Sequence, residues 1–427
     1  MIEYSNPNRD IYVFPATKED KCIVYSPLRG VSLFVSNTAA YQIIEYFDNG
    51  IIPSSPKVHK FLLDFEDIAF STPIHKNDIE ISDKAIFLLS NSCNFACTYC
   101  YSQHSRNRDI LDKETISAVV DYIFSSQSRH KAFSFLGGGE PTLTWDLLTW
   151  SVEYIKQKNE QHKFDVYIGL TTNGSLLQSR ERISWVKKNL SGVAISFEIL
   201  PDIQNKLRPL KTSQKGSFDI VDKAIKSMIE EGIHLKLRST ITKNSVGRMM
   251  EMLDFVQSEY PSIKELHLEP VCDIGENSAD YFDSFITHFS DVYLEGRKRG
   301  VLIQNSITNA LFHIREHYCT GEFCITPSGD IVSCHRFSTN NEPGFEFFKY
   351  GEARPGEVHI DFSKMRDVSS YRMKRKEKCD SCFAKWNCAG GCVATRATLT
   401  SEQLNDYCVF MKNLLKALLE NTLLFNS

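Results

Sequence analysis

The chain has 427 residues, 42% of them hydrophobic and 24% charged, with a formal net charge of −4. That length exceeds one ordinary domain, so two or three are expected, and the near-balanced charge offers no footing for a nucleic-acid partner. No run of about 18 apolar residues occurs, which argues against a membrane span, and the opening MIEYSNPNRD lacks the basic-then-apolar layout of a secretory signal, so a cytoplasmic protein is expected.

In chain order, residues 1–82 alternate short β-rich runs (IYVFPA, CIVYSP, GVSLFVS) with two helical stretches, NTAAYQIIEYFDNG and KVHKFLLDFEDIAF, and the polar segment STPIHKNDIEISDK reads as a linker. Strands followed by helices suit a small winged-helix-like module. From 83 to about 305 strands and helices alternate: AIFLLS, FSFLG, VYIGLTT, VAISFE, HLKLRSTIT and ELHLEP, with helical patterns such as KETISAVVDYIFSS, LLTWSVEYIKQKN and DIVDKAIKSMIEEG between them. Repeated units of this length predict an α/β fold with a parallel sheet and helices outside, and about six strands suit a partial (β/α)6 barrel of the TIM type. Chemistry in such barrels sits at the C-terminal strand ends. From 306 to 427 periodicity weakens and cysteines dominate, until NDYCVFMKNLLKALLENTLLF returns to a helical pattern. The absence of an internal repeat argues against a solenoid.

Thirteen cysteines in a reducing compartment call for metal rather than disulfides. Three lie at 93–100 and eight between 319 and 408; only Cys22 and Cys272 stand apart and read as small buried apolar residues. The first group, NSCNFACTYCYSQ, follows the first barrel strand with the spacing C-x3-C-x2-C. Three thiolates can hold three corners of a cubane and leave one iron open to a chelating ligand. A zinc knuckle is the alternative, but it wants a fourth ligand, and His104 is the only nearby Cys or His.

This loop, with Tyr99 just before its third cysteine, resembles the signature of the radical S-adenosylmethionine (radical SAM, AdoMet) superfamily. The resemblance implies that Cys93, Cys97 and Cys100 hold a catalytic [4Fe-4S] cluster. Further motifs support it over residues 83 to about 305. LGGGEP resembles the glycine-rich motif in which Gly138 and Gly139 let the backbone approach the ligand and Glu140 meets the AdoMet ammonium. TTNGS, with Asn173, resembles the segment near the cofactor ribose. Ser196 ends the fourth strand, Arg208 matches an arginine that pairs with the AdoMet carboxylate, and Leu268 matches an adenine-packing position that is otherwise plain core. One departure is Glu198-Ile199, where many relatives carry Asp-Gly.

The later cysteines resemble the SPASM domain, an auxiliary-cluster extension. By that resemblance one further [4Fe-4S] cluster takes Cys319, Cys324, Cys334 and Cys392 and another takes Cys379, Cys382, Cys388 and Cys408, three clusters in all. Such interleaving makes folding depend on cluster assembly. A zinc ribbon of CDSC with CAGGC would leave four cysteines unexplained. The basic run RMKRKEK reads as a solvated face, or as a counter-charge to a neighbouring cluster.

The resemblance further implies reductive cleavage of AdoMet to a 5′-deoxyadenosyl radical, a peptide substrate, and a flavodoxin- or ferredoxin-type electron donor. Residues 1–82 suit a leader-recognition element that captures a precursor peptide as an added strand, or a plain packing extension. SCHRF places His335 where sulfatase-maturating enzymes tend to carry a catalytic aspartate, and it resembles the phrase of thioether-forming maturases. His335 is read as a proton acceptor or as a support for a cluster thiolate. The expectation is a maturase making a thioether or carbon–carbon crosslink in a ribosomal peptide, with an anaerobic sulfatase-maturating enzyme and a non-catalytic AdoMet-binding scaffold as the rivals.

Overall fold

The computed structural model describes residues 2–17, 20–70, 72–73, 82–213, 216–271, 278–373 and 377–426, with the backbone alone for 372, 373 and 426. Cys272, most of the expected linker and the side chains at 372–376 of the basic run lie outside the described residues.

The N-terminal strands β1 (Tyr4–Asn6), β2 (Ile11–Pro15), β3 (Lys21–Ser26) and β4 (Val31–Ser36) form an antiparallel meander in that order. Helices α1 (Asn37–Asn49) and α2 (Pro56–Asp67) follow. Helix α1 starts on Ser36, whose hydroxyl accepts the Ala39 amide, and stops on Gly50 at φ 67°, the left-handed turn that closes a helix cheaply only with glycine. The period of two divides the sheet: Ile11, Val13, Cys22 and Val24 pack on Ala40, Ile43, Leu62 and Phe65 of the two helices. Tyr12, Phe14, Ile23 and Tyr25 face the main core instead. There the rings of Tyr12 and Phe14 lie 6.4 and 5.0 Å from that of Phe383, and the Tyr25 hydroxyl donates to Asn387 Oδ1 at 2.8 Å. A sheet covered on both faces explains why IYVF is a continuous apolar run rather than an alternating one. Cys22 is buried there, as a small apolar residue should be.

Strands β5 (Lys84–Phe87), β6 (His130–Phe135), β7 (Asp165–Thr172), β8 (Gly192–Ser196), β9 (Leu235–Ile241) and β10 (Glu265–Pro270) are the six expected from the sequence, all parallel and each beside the next. Helices α3 (Lys113–Phe124), α4 (Trp145–His162), α5 (Arg180–Asn189), α6 (Pro201–Leu207), α7 (Phe218–Glu230), α8 (Met249–Glu259) and α9 (Ala279–Lys298) supply the crossovers and cover the outer face. Along β9 and β10, Leu237, Ile241, Leu266 and Leu268 are buried in that helix-facing core, whereas Arg238, Thr240, His267 and Glu269 on the opposite pleat face remain partly open.

The sheet runs further than six strands. β11 (Leu302–Gln304) pairs parallel with β10. β12 (Cys324–Ile325) pairs parallel with β5, and β13 (Asp330–Val332), β14 (Lys349–Arg354) and β15 (Glu357–Ile360) continue antiparallel, giving eleven strands among the described residues. Backbone bonds Ile86 N to Phe323 O and Leu88 N to Ile325 O, both 2.9 Å, weld the cysteine-rich region to the barrel's first strand. The terminal helix Ser401–Asn426 packs on α9 through Phe410, whose ring stacks 4.4 Å from that of Phe282. Among the described residues no helix is long and apolar enough to cross a membrane.

Candidate active site

The loop of Cys93, Cys97 and Cys100 leaves the C-terminal end of β5 and is fastened on two sides. The Ala96 and Thr98 amides donate to the carbonyls of Pro209 and Leu207, and Lys211 N to Asn94 O, all at 2.9 Å. On the other side Gly139 N donates to Ser90 O at 2.7 Å and Glu140 N to Ser92 O at 2.8 Å. A Cβ on Gly139 would stand 1.9 Å from Ser92 O, and Gly138 holds φ +57° with Ser90 O 3.0 Å from where its Cβ would be. In this structure, then, the approach that demands these glycines is between two loops of the chain itself.

All three thiols are partly buried. Burial pushes the Cys97 thiol up to about 11; Arg208 pulls it down, while Cys93 and Cys100 add to the rise. Cys93 is raised by burial and then by Glu140. A Cys97 thiol whose ionisation is opposed by burial and by both neighbouring cysteines suits a multi-iron cluster, whose positive charge would offset that opposition. Among the described residues His104, the nearby candidate for a fourth ligand, is turned to solvent beside Gln103. Arg106 supplies a cation: its Nη2 lies 3.0 Å from Cys100 Sγ, and Nη1 donates to Asn91 O at 3.2 Å and to Gly138 O.

Glu140, at the end of β6, is buried and accepts from Thr142 N at 3.1 Å, Thr142 Oγ1 at 2.6 Å, Thr172 Oγ1 at 2.5 Å and Asn173 N at 2.7 Å. Asn173 Nδ2 donates to Asn94 Oδ1 at 2.9 Å, and Ser175 Oγ accepts from Asn94 Nδ2 at 2.8 Å. The ends of β6 and β7 and the cysteine loop are thereby one hydrogen-bonded rim.

At the end of β8, Glu198 has no solvent exposure. Its Oε1 lies 3.5 Å from Arg208 Nη1 and accepts from the Tyr99 hydroxyl; Oε2 accepts from Ser239 Oγ at 2.8 Å and Thr240 N at 2.9 Å. Arg208 Nη1 also donates to Tyr99 at 2.8 Å. Burial raises the Glu198 carboxyl, against the pull of Arg208 and of the donors around it. Burial also opposes the Arg208 charge, but Cys97, Tyr99 and Glu198 outweigh it and hold the guanidinium well above its ordinary range. The departure Glu198-Ile199 therefore acquires a structure: Glu198 is the partner of Arg208, and Ile199 takes φ 67°, a left-handed conformation costly for a β-branched residue. Arg208 is paired within the chain with Glu198, and Leu268 is buried on the pleat face opposite the one that carries His267. Ser196 lies level with Arg238 across the β8–β9 ladder. A cleft of about 270 Å³ opens between Tyr99, Lys206, Thr242 and Val271.

Of the later cysteines, Cys388 is pushed up to about 12 by burial and then by Cys408, Cys382 and Cys379, so this set of four is gathered. Cys324, Cys334 and Cys392 belong to one packed cluster, and burial followed by Glu322 and Cys392 raises the Cys334 thiol. Cys319 is exposed on the loop leading to β12. His335 Nδ1 lies 2.9 Å from both oxygens of Glu322, and its backbone N donates to Glu322 Oε2 at 2.6 Å. The ring of Tyr101, one residue beyond Cys100, is 6.3 Å away, which brings His335 to the cysteine-loop side of the barrel. Sequence reasoning missed Arg106 and Glu322, because an arginine or glutamate near a cysteine carries no mark of its own.

Residues 87–256 match the Radical SAM superfamily. A cysteine-type anaerobic sulfatase-maturating enzyme of Clostridium novyi is 24% identical over 57% of this chain and 71% of its own length. An Fe-coproporphyrin III synthase of Methanosarcina barkeri is 30% identical over 43% of each chain. Among solved structures, anSMEcpe with bound AdoMet and peptide aligns at a TM-score of 0.68 and 19% identity, over 81% of this chain and 99% of that one. Streptococcus suis SuiB bound to its precursor peptide SuiA aligns at 0.53 and 16%, over 94% and 98%. These structural likenesses are of fold. Residues 87–256 are a radical SAM domain, a kind of enzyme domain that binds AdoMet and an iron–sulfur cluster, and the chain has the fold shared by these maturases.

Proposed function

We propose that the protein is a peptide maturase that closes a thioether or carbon–carbon crosslink in a ribosomally made precursor peptide. The observation that carries this reading is the single body made by the N-terminal sheet, the barrel and the cysteine-rich region, with the outer edges of β1 and β4 bearing no further strand among the described residues. An unpaired edge suits capture of an extended leader, and SuiB, of like fold along nearly the whole chain, was solved with such a precursor bound.

In this reading Cys93, Cys97 and Cys100 hold the AdoMet-binding cluster, while Tyr99, Gly138, Gly139, Glu140, Asn173, Ser196 and Arg208 shape the AdoMet site around it. Leu268 contributes to it only from within the core. When bound and reduced through a flavodoxin- or ferredoxin-type donor, the cluster with AdoMet would supply hydrogen-abstracting radical chemistry at this site. Cys319, Cys324, Cys334 and Cys392 hold one auxiliary [4Fe-4S] cluster; Cys379, Cys382, Cys388 and Cys408 hold the other. Glu322 occupies Nδ1 of His335, leaving Nε2 to exchange a proton with the substrate.

The test is anaerobic incubation of reconstituted protein with dithionite, AdoMet and candidate precursor peptides. The expected result is 5′-deoxyadenosine together with a peptide lighter by two hydrogen atoms; absence of 5′-deoxyadenosine would leave an AdoMet-binding scaffold. The curated relatives favour a second reading, sulfatase maturation. It predicts an aldehyde, trapped by a hydrazide, on a cysteine-containing sulfatase peptide.

A further inference from the structure

We propose that Arg106 sets the reduction potential of the AdoMet-binding cluster and fixes that cluster against the LGGGEP loop. The proposal rests on the reading that Cys93, Cys97 and Cys100 are its ligands. One guanidinium reaches three groups: Cys100 Sγ at 3.0 Å through Nη2, and the carbonyls of Asn91, at 3.2 Å, and of Gly138 through Nη1. Among the described residues no carboxylate forms an ion pair with it, the bidentate partner that most strengthens an arginine contact. Its full charge is therefore directed at a ligand sulfur rather than neutralised nearby.

A cation and an N–H···S hydrogen bond draw electron density from a thiolate, which favours the more negative, reduced cluster and raises its potential. The same side chain grips the carbonyl two residues before Glu140, so the sulfur and the glycine loop cannot move independently. Arg108, two residues on, is exposed and provides an internal control of equal charge.

The experiment uses the full chain with all clusters reconstituted and an EPR-monitored redox titration, in which the signal perturbed by added AdoMet identifies the cluster in question. In R106Q the midpoint is expected to fall by at least tenfold in the one-electron equilibrium, about 59 mV. R106K, which keeps the charge but loses the fork, should shift the same way by less, and R108Q should not shift. R106Q with full iron and the parent midpoint overturns the proposal. Should R106Q load less iron, R106K decides, and a parent-like midpoint there overturns it equally. Loss of the AdoMet-perturbed signal from the parent protein would instead remove the underlying reading of the three ligands. No peptide substrate enters the measurement, so an error about the crosslink leaves it untouched.

Discussion

The Arg208 guanidinium lies 3.5 Å from the Glu198 carboxylate with the Tyr99 hydroxyl bonded to both, and neither charge reaches solvent freely. Glu198→Gln strands Arg208 in the interior. Removing one partner of a buried pair costs on the order of 3–5 kcal/mol, so anaerobic urea unfolding should show a loss of that size. The double change Glu198→Gln with Arg208→Met should restore much of the stability but not AdoMet cleavage, which separates folding from function.

Ile199, next in the chain, is fully buried at φ 67°. Ile199→Gly relieves roughly 1–2 kcal/mol of left-handed strain but forfeits roughly 2–5 kcal/mol of core packing. The expected outcome is a net destabilisation of about 2 kcal/mol, read as a lower urea midpoint. A gain in stability would show that strain outweighs packing here.

Gly139→Ala sets a Cβ where Ser92 O already stands. Such a contact must spread the two loops, and the cysteine loop with them, so iron content should fall by about four atoms, one cubane. Cys93→Ala should likewise abolish 5′-deoxyadenosine yet retain about eight irons in the two auxiliary clusters.

His267 is lowered to about 4 by burial and then by Arg238, and its Nε2 is 2.9 Å from Gln304 Nε2. An ordinary histidine titrates near about 6.5, so below that pH the unfolded chain takes up a proton that the fold refuses. Stability is therefore lost as pH falls from about 6.5 towards 4 and is unaffected by this group above that window. His267→Gln should lack this component, so the parent should lose stability relative to the variant across those pH values.

Cys388→Ala should reach beyond its own cluster. Phe383 and Asn387, which receive Phe14, Tyr12 and Tyr25, sit within the turn that carries Cys379, Cys382 and Cys388. Limited proteolysis of the variant should cut among the first 70 residues sooner than in the parent; equal protection would show that packing alone secures that contact.

Much of this was written plainly in the chain. The six barrel strands are apolar at alternate positions and flanked by helical periodicity, and the cysteine spacings encode a loop whatever surrounds it. Strand β11, only Leu-Ile-Gln, and the two-residue β12 were not legible, because they exist by pairing with β10 and β5 and carry no pattern of their own. The same holds in the site. Glu140 and the cysteines stand in recognisable local phrases, whereas Glu322 meets His335, and Glu198 meets Arg208, only after the chain has folded back across 13 and 10 residues. The pleat side of Leu268 was open to reading from ELHLEP, since its neighbours His267 and Glu269 are polar.

The aromatic face of the first sheet is covered by the turn at 379–388 and by the terminal helix, where Lys416 stands 5.0 Å from the Phe14 ring and 2.9 Å from Glu3. Synthesis proceeds from the N-terminus, so Tyr12, Phe14 and Tyr25 emerge first and wait for partners made nearly last. During that interval a partly finished chain displays an oily, strand-edged surface, and a chain whose second auxiliary cysteine set is slow to acquire iron keeps it exposed longer. Yield of soluble protein in a cell should thus be governed by iron–sulfur supply as much as by the intrinsic strength of the fold.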